Sequence, residues 1–138
     1  MNNIYDLLES AIQDNPDKAA LEFKGNLISY RKVKEAVDRL SRGFRNLNLK
    51  PGDRIGLMLP NVPHFAFAFF SLLKCGVTVV PISIYLKEEE VRYRLDDAEV
   101  KGLIYWEGFR DKVAKAVRGL PFADLMISLT DNPVGNEI

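Results

Sequence analysis

The sequence predicts an α/β fold: an open, mostly parallel sheet with helices on both faces, preceded by one helix and a small β-hairpin. Three observations predict it. From residue 29 onward, helical and strand-like segments alternate along the chain. The strand-like segments are short apolar runs without polar alternation, as in strands buried on both faces. Clusters of Pro, Gly, Asn and Asp stand between the segments and break them. Strands separated by helices run parallel when they share a sheet.

The elements follow in order. Ile4, Leu7, Leu8, Ala11 and Ile12 recur at helical spacing, so the chain begins with a short helix that Asn15-Pro16-Asp17 ends. Residues 19–23 and 27–30 flank Lys24-Gly25-Asn26, a hairpin signal with glycine at the tip. Ser29 is placed to cap the next helix, with Lys32 at the position where an acid would complete a capping box. In that helix Val33, Val37, Leu40, Phe44 and Leu47 share one face, opposite Lys, Arg, Glu and Asp. Asn48 suits a left-handed terminus, and Lys50-Pro51-Gly52-Asp53 is a turn.

Residues 55–59 form a buried strand. Asn61-Val62-Pro63 then opens a helix, with Pro63 in the first turn. Phe65, Phe67, Phe69, Phe70, Leu72 and Leu73 leave it almost no polar face, which predicts a central position, and it stops at Cys75-Gly76. Residues 77–82 are the next buried strand. Residues 87–97 form an amphipathic helix whose first turn holds Glu88, Glu89 and Glu90, acids that suit the positive end of the helix dipole. Its inner face is Val91, Leu95 and Ala98. A strand at 102–105 follows, then a helix lined by Phe109, Val113 and Val117, a stop at Gly119-Leu120-Pro121, and a last strand at 125–129. Residues 130–138 are expected to be a loop.

Bulk properties bound the function. A chain of 138 residues, 47% hydrophobic and 28% charged, suits one compact domain with a core. A formal net charge of +0 gives no reason to expect nucleic acid or an anionic membrane as partner. The single cysteine excludes an internal disulfide and fits a reduced, cytoplasmic setting. The start of the chain carries Asp6 and Glu9 and no basic stretch, unlike a signal peptide. The most apolar run, residues 65–73, is too short to cross a bilayer.

Chemistry is harder to find. Ligands of open α/β sheets bind at the carboxyl ends of strands. There the sequence offers Pro60-Asn61-Val62-Pro63 and Ser83-Ile84-Tyr85, with no glycine cluster to surround a phosphate. His64, the only histidine, has no nucleophile or orienting acid placed beside it by the sequence, so it reads as a histidine in the first turn of a helix. Cys75 lies at the C-terminal end of its helix, where the dipole disfavours a thiolate. Glu88, Glu89 and Glu90 read as a solvated first turn rather than a cation site. The phenylalanines between 65 and 70 read as core, with an apolar substrate pocket as the alternative. Tyr105 and Trp106 are expected to end a strand and pack on the following helix. No catalytic, cofactor-binding or metal-ligating residue is assigned from this reading.

Several stretches in fixed order resemble the N-terminal region of the adenylate-forming, or AMP-binding, superfamily: acyl-CoA synthetases, luciferases and peptide-synthetase adenylation domains. Asn15-Pro16-Asp17-Lys18-Ala19-Ala20-Leu21 resembles its P-D-x-x-A stretch. Ile28-Ser29-Tyr30 with Val33, Val37 and Leu40 resembles T-Y-x-x-L and the helix after it. Lys50-Pro51-Gly52-Asp53-Arg54-Ile55-Gly56 matches x-P-G-D-x-V-A/G. Leu59-Pro60-Asn61, then Lys74-Cys75-Gly76-Val77 through Pro81, resemble L-x-N and K-x-G-A-x-x-x-P. Leu95-Asp96-Asp97-Ala98 resembles L-x-D-S/A. The resemblance runs from about residue 4 to 130. Departures are Asn48 in place of a usual glycine, Ser83-Ile84 in place of Asn-Pro, and Val77 in place of alanine.

The resemblance implies an N-terminal subdomain of a ligase that activates a carboxylic acid, expected to be a fatty acid, with ATP and Mg²⁺ and passes the acyl-adenylate to coenzyme A. The loop of the kind S-G-T-T-G-x-P-K-G that would hold phosphates has no counterpart here, nor have the acid that holds ribose and the C-terminal lysine. The family's catalytic residues are therefore carried onto no position, and the chain alone is expected to be inactive, with the remainder of its own polypeptide as partner. Two further readings are a stand-alone α/β binding or interaction module and an unrelated small nucleotide-binding protein. The missing phosphate loop counts against the last. An exposed apolar patch and self-association are expected.

Overall fold

The structure is a computed structural model that describes residues 3–121 and 125–130. The expected loop at 130–138 lies, after Thr130, outside the described residues.

The chain starts with α1 (Ile4–Asp14). Asn3 caps it: its side-chain oxygen accepts from the Tyr5 N–H, and the Asp6 carboxylate accepts from the Asn3 N–H at 3.2 Å. The inner face of α1 is Tyr5, Leu8 and Ile12, whereas Ile4 and Leu7, expected to point inward, are exposed. Next come β1 (Ala19–Phe23) and β2 (Asn26–Ser29), paired antiparallel. The hairpin tip is tighter than the sequence indicates. Lys24 and Gly25 alone form it, at φ 51° and 80°, while Asn26 belongs to β2. Positive φ at both central residues is the geometry whose twist matches a hairpin. Tyr30, expected in the strand, is the first residue of the next helix.

That helix, α2 (Tyr30–Asn46), begins where Ser29 Oγ accepts from the Lys32 N–H at 3.2 Å. It ends through Asn48 at φ 65°, a left-handed residue as expected. Then follow β3 (Arg54–Met58), α3 (Pro63–Lys74), β4 (Thr78–Pro81), α4 (Glu88–Ala98), β5 (Gly102–Trp106), a short 3-10 turn (Glu107–Phe109), α5 (Arg110–Val117) and β6 (Leu125–Leu129).

Strands β3 to β6 make one parallel sheet in the order β4-β3-β5-β6. Side chains of β3 and β5 alternate between its faces. Ile55, Leu57 and Ile104 join Phe44 of α2 and Ala68 and Leu72 of α3 on one face. Met58, Leu103 and Tyr105 join Val91 and Leu95 of α4 and Val113 and Ala116 of α5 on the other. A third cluster unites α1, the hairpin and the outer side of α2 and α3 through Tyr5, Leu8, Ile12, Val33 and Val37. The helix α3 is thus central, between the sheet and this outer layer.

The apolar run 77–82 predicts a buried strand, but β4 is an edge strand with Thr78 and Pro81 exposed. An edge tolerates Pro81, which has no N–H to give to a further neighbour.

Two buried serines join α2 to α3. Ser41 Oγ donates to the Val37 carbonyl at 2.7 Å, and Ser71 Oγ is within reach of the Phe67 and Val37 carbonyls. At the rim, Asp38 pairs with Lys34 one turn earlier and with Lys74 of α3. Partial burial pushes the Asp38 carboxyl up, but the two lysines together outweigh it and hold the carboxyl below its ordinary range. A depressed folded-state pKa gives stability that is present above the unfolded value of about 3.9 and lost as pH falls through the folded value. Asp38→Ala should therefore cost about 1 kcal/mol at neutral pH in low salt. Urea titrations should show that difference shrinking toward pH 2 and in molar salt. A gap that is constant across pH would mean the carboxylate is not the source.

Candidate functional site

The carboxyl ends of the parallel strands form one rim of the molecule. The sheet order takes the chain from β3 outward to β4 and then back across β3 to β5, so the topological switch point at which such sheets bind ligands lies on this rim between the ends of β3 and β5. A cleft of about 510 Å³ opens on this rim beside β3 and β4. Leu59, Phe65, Ile82, Ile84 and Leu86 supply its apolar walls, and Asn61, Ser83 and Arg94 its polar groups.

The wall formed by residues 82–87 is fixed from several directions. The Ile82 N–H donates to the Leu57 carbonyl at 2.9 Å and extends the β3–β4 ladder. Ser83 Oγ accepts from the Tyr85 N–H at 3.2 Å. Lys112 of α5 reaches under the loop and donates to the Ile84 and Leu86 carbonyls at 2.7 and 3.0 Å. Its ammonium also lies 5.1 Å from the centre of the Phe109 ring. Glu90 accepts from the Lys87 N–H at 3.0 Å and fixes the start of α4. Between the two latched carbonyls Tyr85 is 89% exposed.

On the β5 side, His64 in the first turn of α3 meets Trp106 edge-on, with ring centroids 5.5 Å apart, and Phe67 at 5.8 Å. This corrects the reading of Trp106, which packs on the start of α3 rather than on the following helix. Tyr105 points the other way and packs with Val113 of α5, as expected. Glu107, just after β5, is held by Arg110 through two hydrogen bonds of 2.7 and 2.9 Å. Arg110 first, and Ser128 with it, keep the Glu107 carboxyl below its ordinary range. A carboxylate engaged in this way is a poor proton acceptor at neutral pH.

The other residues singled out from the sequence lie apart. Cys75 is buried, with its thiol facing the Ser41 carbonyl at 3.6 Å. Burial pushes its pKa up. Cys75 should therefore react with a disulfide reagent only as fast as the protein opens, and in denaturant at the rate of a free thiol. Equal rates in both states would contradict the packing. Glu88 faces Lys115 at 3.9 Å, and Glu89 is exposed. Among the phenylalanines, Phe65 lines the cleft, whereas Phe70 lines a separate apolar groove of about 340 Å³ beneath Leu7 and Ala11 of α1. Sequence reasoning places Ile84 in the loop at a strand's carboxyl end without a role for it and misses Leu86 and Arg94, because an apolar loop residue and one arginine on a helix carry no motif.

Three helices start on this rim, and none of the starts fits a phosphate chain. Pro63 opens α3 without an N–H to give. Glu88, Glu89 and Glu90 open α4. Glu107 and Asp111 stand at the start of α5. A phosphate at a helix N-terminus needs free amides and no competing acid. The cleft thus offers mostly apolar walls with the Asn61 amide, the Ser83 hydroxyl and the Arg94 guanidinium, and none of these helix starts offers a phosphate cradle.

A family model described as AMP-binding enzyme matches residues 8–136. Among curated proteins, a 3-oxocholest-4-en-26-oate–CoA ligase of Rhodococcus rhodochrous is 27% identical over 129 residues, which is 94% of this chain and 23% of that protein. A long-chain-fatty-acid–CoA ligase of Haemophilus influenzae is 26% identical over 116 residues, 83% of this chain and 21% of that protein. Among solved structures, the anthranilate CoA ligase AuaEII in complex with anthranoyl-AMP superposes with a TM-score of 0.86 at 25% identity, covering 93% of this chain and 25% of that one. The chain spans about a quarter of the length of these proteins.

Proposed function

The chain belongs to the AMP-binding enzyme family, and from that premise we propose that residues 1–138 act as the N-terminal subdomain of an ATP-dependent carboxylate–CoA ligase. The observation that supports this most directly is the family match along nearly the whole chain. In this reading the whole protein joins an apolar, fatty-type carboxylic acid to coenzyme A through an acyl-adenylate, with Mg²⁺, in the cytoplasm. In this reading the groups that hold ATP, Mg²⁺ and coenzyme A belong to other parts of the polypeptide, which the proline- and acid-bearing helix starts on the rim support. This subdomain contributes scaffold and one wall of the acyl site.

No helix among the described residues is long and apolar enough to cross a membrane. Exposed Ile4 and Leu7 beside the α1 groove mark a face that the rest of the polypeptide would cover, and through which the isolated chain would self-associate.

The test is the mass of the native protein in its source cells, by immunoblot with an antibody against this chain. A band several times larger than 15.6 kDa supports the reading, provided that the purified protein exchanges pyrophosphate into ATP when given apolar acids. A band at 15.6 kDa would favour the stand-alone binding module. A large protein that exchanges pyrophosphate with no acid would overturn the ligase reading.

A further inference from the structure

We propose that the cleft at the ends of β3 and β4 binds a small apolar monocarboxylate, with its body along Phe65, Ile82, Ile84 and Leu86 and its carboxylate at Arg94. The identity of this ligand as the ligase's own acid rests on the function proposed above. The chemistry of the site rests on the cleft alone.

Charge complementarity carries the argument. Arg94 is the only charged residue that lines the cleft among the described residues. Among the described residues its guanidinium, which is exposed, has no ion pair or hydrogen bond and so is available to an incoming anion. Glu90, one turn earlier on α4 and the acid best placed to neutralise it, is turned back onto the Lys87 N–H. Behind the wall, Lys112 adds a second positive charge that is committed to two backbone carbonyls. The charged group that lines the cleft itself is thus a cation, with Glu89 and Glu90 in the adjoining hollow on its other side, and the planar fork of an arginine suits a carboxylate.

Size and surface narrow the class. About 510 Å³ lies within the range of small-molecule sites. The walls are mostly aliphatic, so a triphosphate or a sugar would leave its polar groups unpaired against them. An apolar body with a single carboxylate matches both the walls and the cation. The wall is also built in advance: the Lys112 latch and the Ser83 turn hold residues 82–87 in place without a ligand, which lowers the ordering cost of binding.

The experiment uses the 138-residue chain, ¹⁵N-labelled, titrated with decanoate below its micellar range and, in parallel, with decanol and with acetate. Saturable shifts confined to the amides of residues 82–87 and Arg94, at least about fivefold weaker for decanol and absent for acetate, are expected. Arg94→Gln should weaken decanoate about fivefold and leave decanol unchanged. Ile84→Ser should weaken both ligands. The spectrum of each variant reports whether it is folded. Equal affinity for decanoate and decanol would overturn the carboxylate assignment. Shifts centred on Leu7 and Phe70, or no saturation, would overturn the site. Pyrophosphate exchange is a separate readout: loss of the ligase reading would leave this binding in place, and loss of this binding would leave the ligase reading in place.

Discussion

Gly102→Ala is expected to unfold the β6 edge of the sheet and to destabilise the protein by about 3 kcal/mol or more. A Cβ on Gly102 would collide with the carbonyl oxygen of Leu125 and stand 2.7 Å from its Cβ. Gly102 is also the register partner of both Ile55 and Leu125, so neither neighbour can withdraw without breaking a ladder. The obstacle is backbone, which has no rotamer to change. Gly56→Ala is the control. There the new methyl would meet the ends of the Leu103 and Leu95 side chains at 2.9 and 3.0 Å, atoms that can turn aside. That variant should cost about 1 kcal/mol. Thermal unfolding of both proteins decides the matter. A Gly102→Ala protein within about 1 kcal/mol of its parent would mean that the β5–β6 spacing is looser than the structure has it.

Leu95→Ala is the second large effect. Leu95 is fully buried between α4 and the sheet. Removing its branched end deletes buried surface and leaves a cavity, at a cost of about 3–5 kcal/mol. Its Cδ2 lies against the space where a Gly56 side chain would be. In Leu95→Ala the methyl of Gly56→Ala therefore fills part of the hole rather than crowding it. The double variant should be more stable than the sum of the single changes predicts, by about 0.5–1 kcal/mol. Denaturant midpoints of the four proteins test this, and strict additivity would mean that the two sites do not share the cavity.

Much of this architecture was legible because its signals are local. The stripe of Val33, Val37 and Phe44 names the buried face of α2, and Ser29 its cap. The unbroken run after Arg54 names a strand covered on both faces, which β3 is. What escaped depends on neighbours that sequence does not order. Residues 77–82 are as apolar as a central strand, yet the chain turns back across β3 and leaves β4 at the edge, and local pattern carries no information on strand order. Lys24 is an unusual residue for a left-handed turn, so the two-residue tip of the hairpin was hidden by its flanking Asn26. Tyr5 was overlooked as an inner residue of α1 because Ile4 and Leu7 gave the more obvious apolar stripe. The site was less legible than the fold. His64, Cys75 and the three glutamates drew attention by residue type, and the structure uses them for packing, for a buried helix end and for α4's start. The cleft arises where loop residues from two strand ends and one helix meet: its place, at 60–61 and 83–85, follows from the rule for parallel sheets and Phe65 from its apolar helix, but Leu86 and Arg94 do not.

The order of the strands also has a consequence for the chain as it leaves the ribosome. Ile55 ends up paired with Gly102, yet all of α3, β4 and α4 is translated between them. The first parallel pair available to the nascent chain is β3 with β4. Until β5 emerges, the other side of β3 offers an unpaired row of amides and carbonyls. At roughly 5–20 residues per second, that interval lasts on the order of a few seconds. During it one of the two most buried strands of the finished protein is an open edge, exposed to a chaperone or a neighbouring nascent chain.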